Sequence, residues 1–152
     1  MFVRDFIHVS QPFEQVAPRF VHDTAWLAPL AADAAEVARE LAVSLLGHDQ
    51  APPARRGPVR CEIGPVRARA TSLLVPLWLL SEGPDNPLPD LTGDLEVAPV
   101  GTGRSLLAFG ATYQRPARES QDLHRVERAT EAGVRTFLSG IADALNRRAR
   151  RV

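Results

Sequence analysis

"LTGDLEVAPVGTGRSLLAFGATYQ", residues 91–114, sets two apolar runs on either side of a Gly-Thr-Gly segment. The centre, "PVGTGRS" (99–105), has the look of a phosphate-cradling loop or of a tight turn. A dinucleotide-binding fingerprint needs a third Gly and a helix directly after a strand. A P-loop needs Gly-Lys-Ser or Gly-Lys-Thr, and the chain has no Lys. The run from Ser105 to Tyr113, "SLLAFGATY", instead alternates like a strand. The spacing therefore predicts a β-hairpin whose glycines supply positive φ. Such a turn fixes a register, and Ser105, Leu107, Phe109, Ala111 and Tyr113 then share one face.

Working outward, the preceding run "SLLVPLWLLSE" (72–82) is apolar on both faces, with Pro76 suited to a bulge or an edge. "VRCEI" (59–63) and "VRARAT" (66–71) alternate apolar with charged residues and predict a hairpin across Gly64-Pro65. "FVRDFIHVS" (2–10) is a further strand, with Val3, Asp5, Ile7 and Val9 on one face and Phe2, Arg4, Phe6 and His8 on the other. "QPFEQVAPRF" (11–20) is expected to be a short helix, begun at Pro12 and limited by Pro18.

A helical period runs from Asp23 or Thr24 to Leu46, through Trp26, Leu30, Ala34, Val37, Leu41 and Leu45. Pro29 is expected to bend or divide it, and Gly47 to stop it. Residues 48–58 and 83–90 read as loops. A long helix, Ser120 to Arg148, closes the pattern, with its apolar stripe from Leu123 to Leu145 and Arg147, Arg148, Arg150 and Arg151 at its end. The element order is α+β: a curved antiparallel sheet wrapped around a long C-terminal helix, with shorter helices after the first strand. A sheet holding a helix in this way encloses space for a ligand.

The chain has 152 residues, 45% hydrophobic and 24% charged, which fits one domain over 1–152 with a single core. Its 18 basic residues, all Arg, balance 18 acidic ones. Zero formal charge argues against a bulk nucleic-acid binder. Cys61 stands alone, so no internal disulfide forms, and its phase with Val59 and Ile63 makes it a small buried hydrophobe. "MFVRDFIHVS" carries Arg4, Asp5 and His8 where a secretory leader would be apolar, and "LLVPLWLL" (73–80) is too short to span a bilayer. A cytoplasmic location is expected. His8, His22, His48 and His124 lack metal-ligand spacing, so neither a metal nor a cofactor is expected.

Three segments carry a resemblance: "IGPVRARATSLLVPLWLL" (63–80), "LPDLTGDLEVAPVGTGRSLLAFGATYQRP" (88–116) and "HRVERATEAGVRTFLSGIADAL" (124–145). Their order and spacing resemble a bacterial branch of the START-related (SRPBCC) superfamily. "VSQPFEQV" (9–16) is similar to its usual strand-to-helix entry. The resemblance implies the helix-grip fold and a cavity between the sheet and the C-terminal helix. It implies binding of a small hydrophobic molecule, such as a lipid, isoprenoid or polyketide-like compound. Polyketide cyclase or dehydratase chemistry is the alternative, and a non-catalytic interaction protein with a filled cavity is a third. Whether the chain is an enzyme stays open, with binding favoured.

The expected ligand-binding residues are Trp26, Trp78, Phe109, Tyr113, His124, Val134, Phe137 and Ile141. Tyr113 or His124 would orient the ligand. His124, Tyr113 and Glu96 are the titratable groups from which a cyclase would draw its acid or base.

Overall fold

A computed structural model describes residues 1–46, 59–81, 88–114 and 120–151. Its elements are β1 (Phe2–Val9), α1 (Phe13–His22), α2 (Leu27–Leu46), β2 (Val59–Ile63), β3 (Arg67–Ala68), β4 (Leu73–Ser81), β5 (Leu91–Val100), β6 (Arg104–Thr112) and α3 (Ser120–Ala149). The strands form one antiparallel sheet in the order β1-β6-β5-β4-β2, with β3 also on β4. The sheet holds α3 along one face, which is the helix-grip arrangement. The expected helix stop at Gly47, the loop at 48–58 and most of the loop at 83–90 lie outside the described residues.

The central hairpin forms as its spacing predicts. Val100 pairs with Arg104, and Gly101 sits at φ 62°. A left-handed backbone is strained for any residue with a Cβ, so glycine belongs there. Gly103 carries no positive φ. The register sets Leu107 opposite Val97 and Phe109 opposite Leu95, and all four are fully buried. They face Val134, Phe137, Leu138 and Ile141 of α3 within one core cluster.

Three local expectations are corrected. First, β2 and β3 do not pair with each other. Both pair with β4, β2 along Leu77–Ser81 and β3 at Leu73 and Leu74. The chain does not reverse at Gly64-Pro65. It continues beside β4 as one interrupted edge, and the Gly64 N–H donates to the Pro76 carbonyl at 2.9 Å. This also explains Pro76, which lies inside β4 rather than at an edge. In an antiparallel ladder the N–H and C=O of one residue point the same way. The donor that Pro76 lacks would thus face the break between β2 and β3, where it costs no ladder bond.

Second, α1 runs four residues past Pro18 to His22. The carbonyl deprived of its partner there is that of Glu14, an exposed residue that water can reach. Likewise Pro29 does not divide α2. It falls in the first turn, where backbone N–H groups have no intrahelical partner.

Third, α2 is rotated from the expected stripe. Its buried face is Leu27, Ala31, Ala34, Ala38 and Ala42, while Val37 is 43% exposed. The reason lies on α3, where an added Cβ at Gly133 would come within 2.9 Å of Ala38 Cβ. At this point the helices approach so closely that only small side chains fit between them.

The hairpin's tightness at Gly93 is directly testable. A Cβ there would lie 2.2 Å from the Gly110 carbonyl oxygen and 2.7 Å from Ala111 Cα, whereas nothing lies within 4 Å of one at Gly103. Gly93→Ala is expected to cost about 2 kcal/mol or more and lower the melting temperature by roughly 5 °C. Gly103→Ala is expected to leave it unchanged.

Candidate functional site

Alanine is the best helix former, and its recurrence along α2 gives a stable helix with almost no side-chain bulk on its inner face. Ala31, Ala34, Ala35 and Ala38 form one wall of a cavity between α2, α3 and the sheet. Thr130, Gly133, Val134 and Phe137 of α3 form the second wall, and Phe109 rises from the sheet beneath them. Its ring meets that of Phe137 edge-on, with centroids 5.8 Å apart. Val59, Leu79, Ser81, Leu88, Pro89 and Leu91 close the sheet end.

The cavity measures about 40 Å³. Its two polar liners are already satisfied: the Thr130 hydroxyl donates to the Val126 carbonyl at 2.8 Å, and the Ser81 hydroxyl to the Pro89 carbonyl at 3.4 Å. Among the described residues the lining has no ionisable side chain. Apolar burial is therefore what the space offers a guest.

Of the residues expected to bind ligand, Phe109, Val134 and Phe137 come together in this lining. Ile141 is fully buried but does not line the cavity. Tyr113 has the expected inward parity and is 5% exposed, but it too is not among the residues that line the cavity. Met1 and Tyr113 exchange backbone hydrogen bonds of 2.7 and 2.9 Å, which fixes it just beyond β6. Burial, with Glu127 and Glu131 adding to it, raises its phenol above the ordinary range.

The structure separates the others from this site. Trp78 pairs with Thr92 and Glu62 on the outer face of the sheet, because Leu77 and Leu79 take the inward positions of β4. There the added Cβ of Gly64 would lie 3.0 Å from its ring, so glycine is what lets the edge strand pass over the indole. Trp26 closes the corner between α1 and α2. Its indole N–H donates to the Arg19 and Asp23 carbonyls (3.1 and 2.9 Å), and its ring packs 5.2 Å from that of Phe20. His124 is exposed on α3, 3.7 Å from a Glu127 carboxylate oxygen. Glu96, paired with Leu74 and Ala108, also lies on the outer face.

The alanine wall and Gly133 were missed because a search for large apolar residues passes over small ones. A usable signal was present: Ala31, Ala34, Ala35 and Ala38 share a helical face, and Gly133 and Gly140 lie two turns apart on α3. Among the described residues no group of His, Cys, Asp or Glu is placed to hold a metal, and no helix is long and apolar enough to cross a membrane. His48 lies outside the described residues.

No protein-family model matches the sequence, and no curated protein matches it. Solved structures do match in fold. A conserved protein from Geobacillus kaustophilus is 13% identical, over 97% of this chain and 96% of that one, with a TM-score of 0.54. A Thalictrum flavum norcoclaurine synthase point mutant, in complex with a transition-state analogue, is 11% identical over 98% and 96%, with a TM-score of 0.50. The ZhuI aromatase/cyclase from Streptomyces sp. R1128 is 13% identical over 98% and 95%, with a TM-score of 0.45. The likeness is one of architecture.

Cys61, opposite Leu79 on β2, borders this end of the sheet. Burial pushes its thiol up to about 11. At pH 8 only about one thiol in a thousand is then ionised, and the thiolate is the reactive form. A disulfide-exchange reagent at pH 8 is expected to label the folded protein at least roughly 100-fold more slowly than the urea-unfolded chain. Equal rates would show that the strand does not shield it.

Proposed function

We propose that the chain binds a small hydrophobic molecule in the cavity between α2, α3 and the sheet. The observation that carries this reading is a cavity walled by alanine, phenylalanine and leucine, with both of its polar groups already paired. A guest gains about 25 cal/mol for each Å² of apolar surface it buries there. The lining offers no acid or base among the described residues, so binding is better supported than cyclase chemistry. The norcoclaurine synthase that shares the fold holds a transition-state analogue, which makes a ligand in this architecture reasonable.

The cavity's size sets a condition. At about 40 Å³ it is far below the roughly 300–1,000 Å³ of pockets that take drug-sized ligands. A larger guest must displace a wall. α2 presents the least side-chain bulk to a guest, each alanine methyl contributing little dispersion beside the Phe109–Phe137 contact, although moving it loosens its close contact with Gly133 of α3. Binding and outward movement of α2 are thus one event in this reading. The same small volume favours a second reading, an interaction protein whose interior is simply filled.

Native mass spectrometry of freshly purified protein, with extraction of any bound molecule, separates the two. A co-purifying apolar species supports binding, and a clean apo mass supports the filled interior. Ala35→Phe places a ring into the cavity from a half-buried position. It is expected to reduce the bound fraction at least roughly tenfold and, because the ring exceeds the space, to lower the melting temperature by several degrees while the protein remains folded.

A further inference from the structure

Tyr113 is the one tyrosine in the sequence, and its hydroxyl is buried with no hydrogen-bond partner among the described residues. Buried polar groups are nearly always paired, so an orphan of this kind calls for an explanation. Sheet register gives one. Leu79 pairs with Leu91, and Thr92 pairs with Thr112. Continuing the β5–β6 register by one residue sets Tyr113 opposite Leu91, in the same inward row as Leu79. Leu79 and Leu91 both line the cavity. Between this row and Phe109 lies the pair Gly93 and Ala111, which has almost no side-chain bulk. Tyr113 does not itself line the cavity, so a guest lying along Phe109 reaches the Tyr113 row only by extending across the Gly93–Ala111 step, next to Leu91.

We propose that the ligand of this cavity is a neutral apolar molecule with one carbonyl group, whose oxygen accepts the hydrogen bond that the Tyr113 hydroxyl lacks. This rests on the binding reading above and narrows it. The phenol stays protonated because burial and the carboxylates of Glu127 and Glu131 disfavour its anion. It can therefore donate. The same two carboxylates disfavour an anionic head group at this end, which selects a ketone, aldehyde or ester over a carboxylic acid.

Three probes of similar shape separate the possibilities: acetophenone, ethylbenzene and benzoate. Binding is followed by NMR on protein labelled at its one tyrosine, together with amide signals of cavity residues. Acetophenone is expected to bind roughly tenfold more tightly than ethylbenzene, to shift the Tyr113 ring signals and to outcompete benzoate. Tyr113→Phe is expected to remove the acetophenone advantage, leave ethylbenzene affinity unchanged and melt no lower than the parent protein, since it deletes an orphan hydroxyl. Equal binding of acetophenone and ethylbenzene, or benzoate binding as tightly as acetophenone, overturns the carbonyl inference while the cavity reading stands. If none of the three perturbs the cavity signals, both fail.

Discussion

The contact between α2 and α3 governs the rest of the molecule. Gly133 lies against Ala38, where a single added methyl would come within 2.9 Å, and Gly140 lies against Leu30, where one would come within 3.5 Å. Gly133 is the tight point that lets the alanine face of α2 come close enough to cover α3, while at Gly140 the Leu30 side chain makes an ordinary contact. α3 is thereby covered by α2 on one side and by the sheet on another, and its stripe from Val126 to Leu145 is buried almost throughout. The same closeness leaves a cavity. Alanine methyls fill little volume, and where the sheet ends in Leu79 and Leu91 nothing larger fills the remainder. One choice of small residues thus holds the helices together and leaves the space between them.

The strands were largely legible because period-two alternation is strong wherever one sheet face is buried. Val3, Ile7 and Val9 against Phe2, Phe6 and His8 gave β1 the correct faces, and the glycine turn gave β6 its own. Pairing was less legible. "VRCEI" and "VRARAT" alternate as a hairpin would, but alternation reports which face is buried and not which strand lies alongside. Their true partner is β4, whose proline needs a neighbour that breaks beside it.

The site was half legible for a related reason. Phe109, Val134 and Phe137 are large, periodic and inward, so parity found them. Trp78 sits in a run that is apolar on both sides, where parity is silent, and only pairing with β5 shows that it faces outward. Trp26 obeys the helical period yet lies just before α2, held by two backbone carbonyls in a corner that no periodicity describes. The alanine wall was hidden because its importance lies in what α3 excludes, a property of two distant segments together.

Function in this fold is argued from an interior rather than from a reactive group. The aromatic pair and the sheet form a firm floor, and the alanine helix forms a thin roof. In the proposed reading the space between them is apolar and accessible to a guest. A crystal pressurised with xenon tests it most directly, since apolar cavities take up the gas. Xenon is expected between Phe109, Phe137 and the alanines of α2, with α2 displaced outward as occupancy rises. Ordered water in that space, or no xenon at saturating pressure, would contradict it.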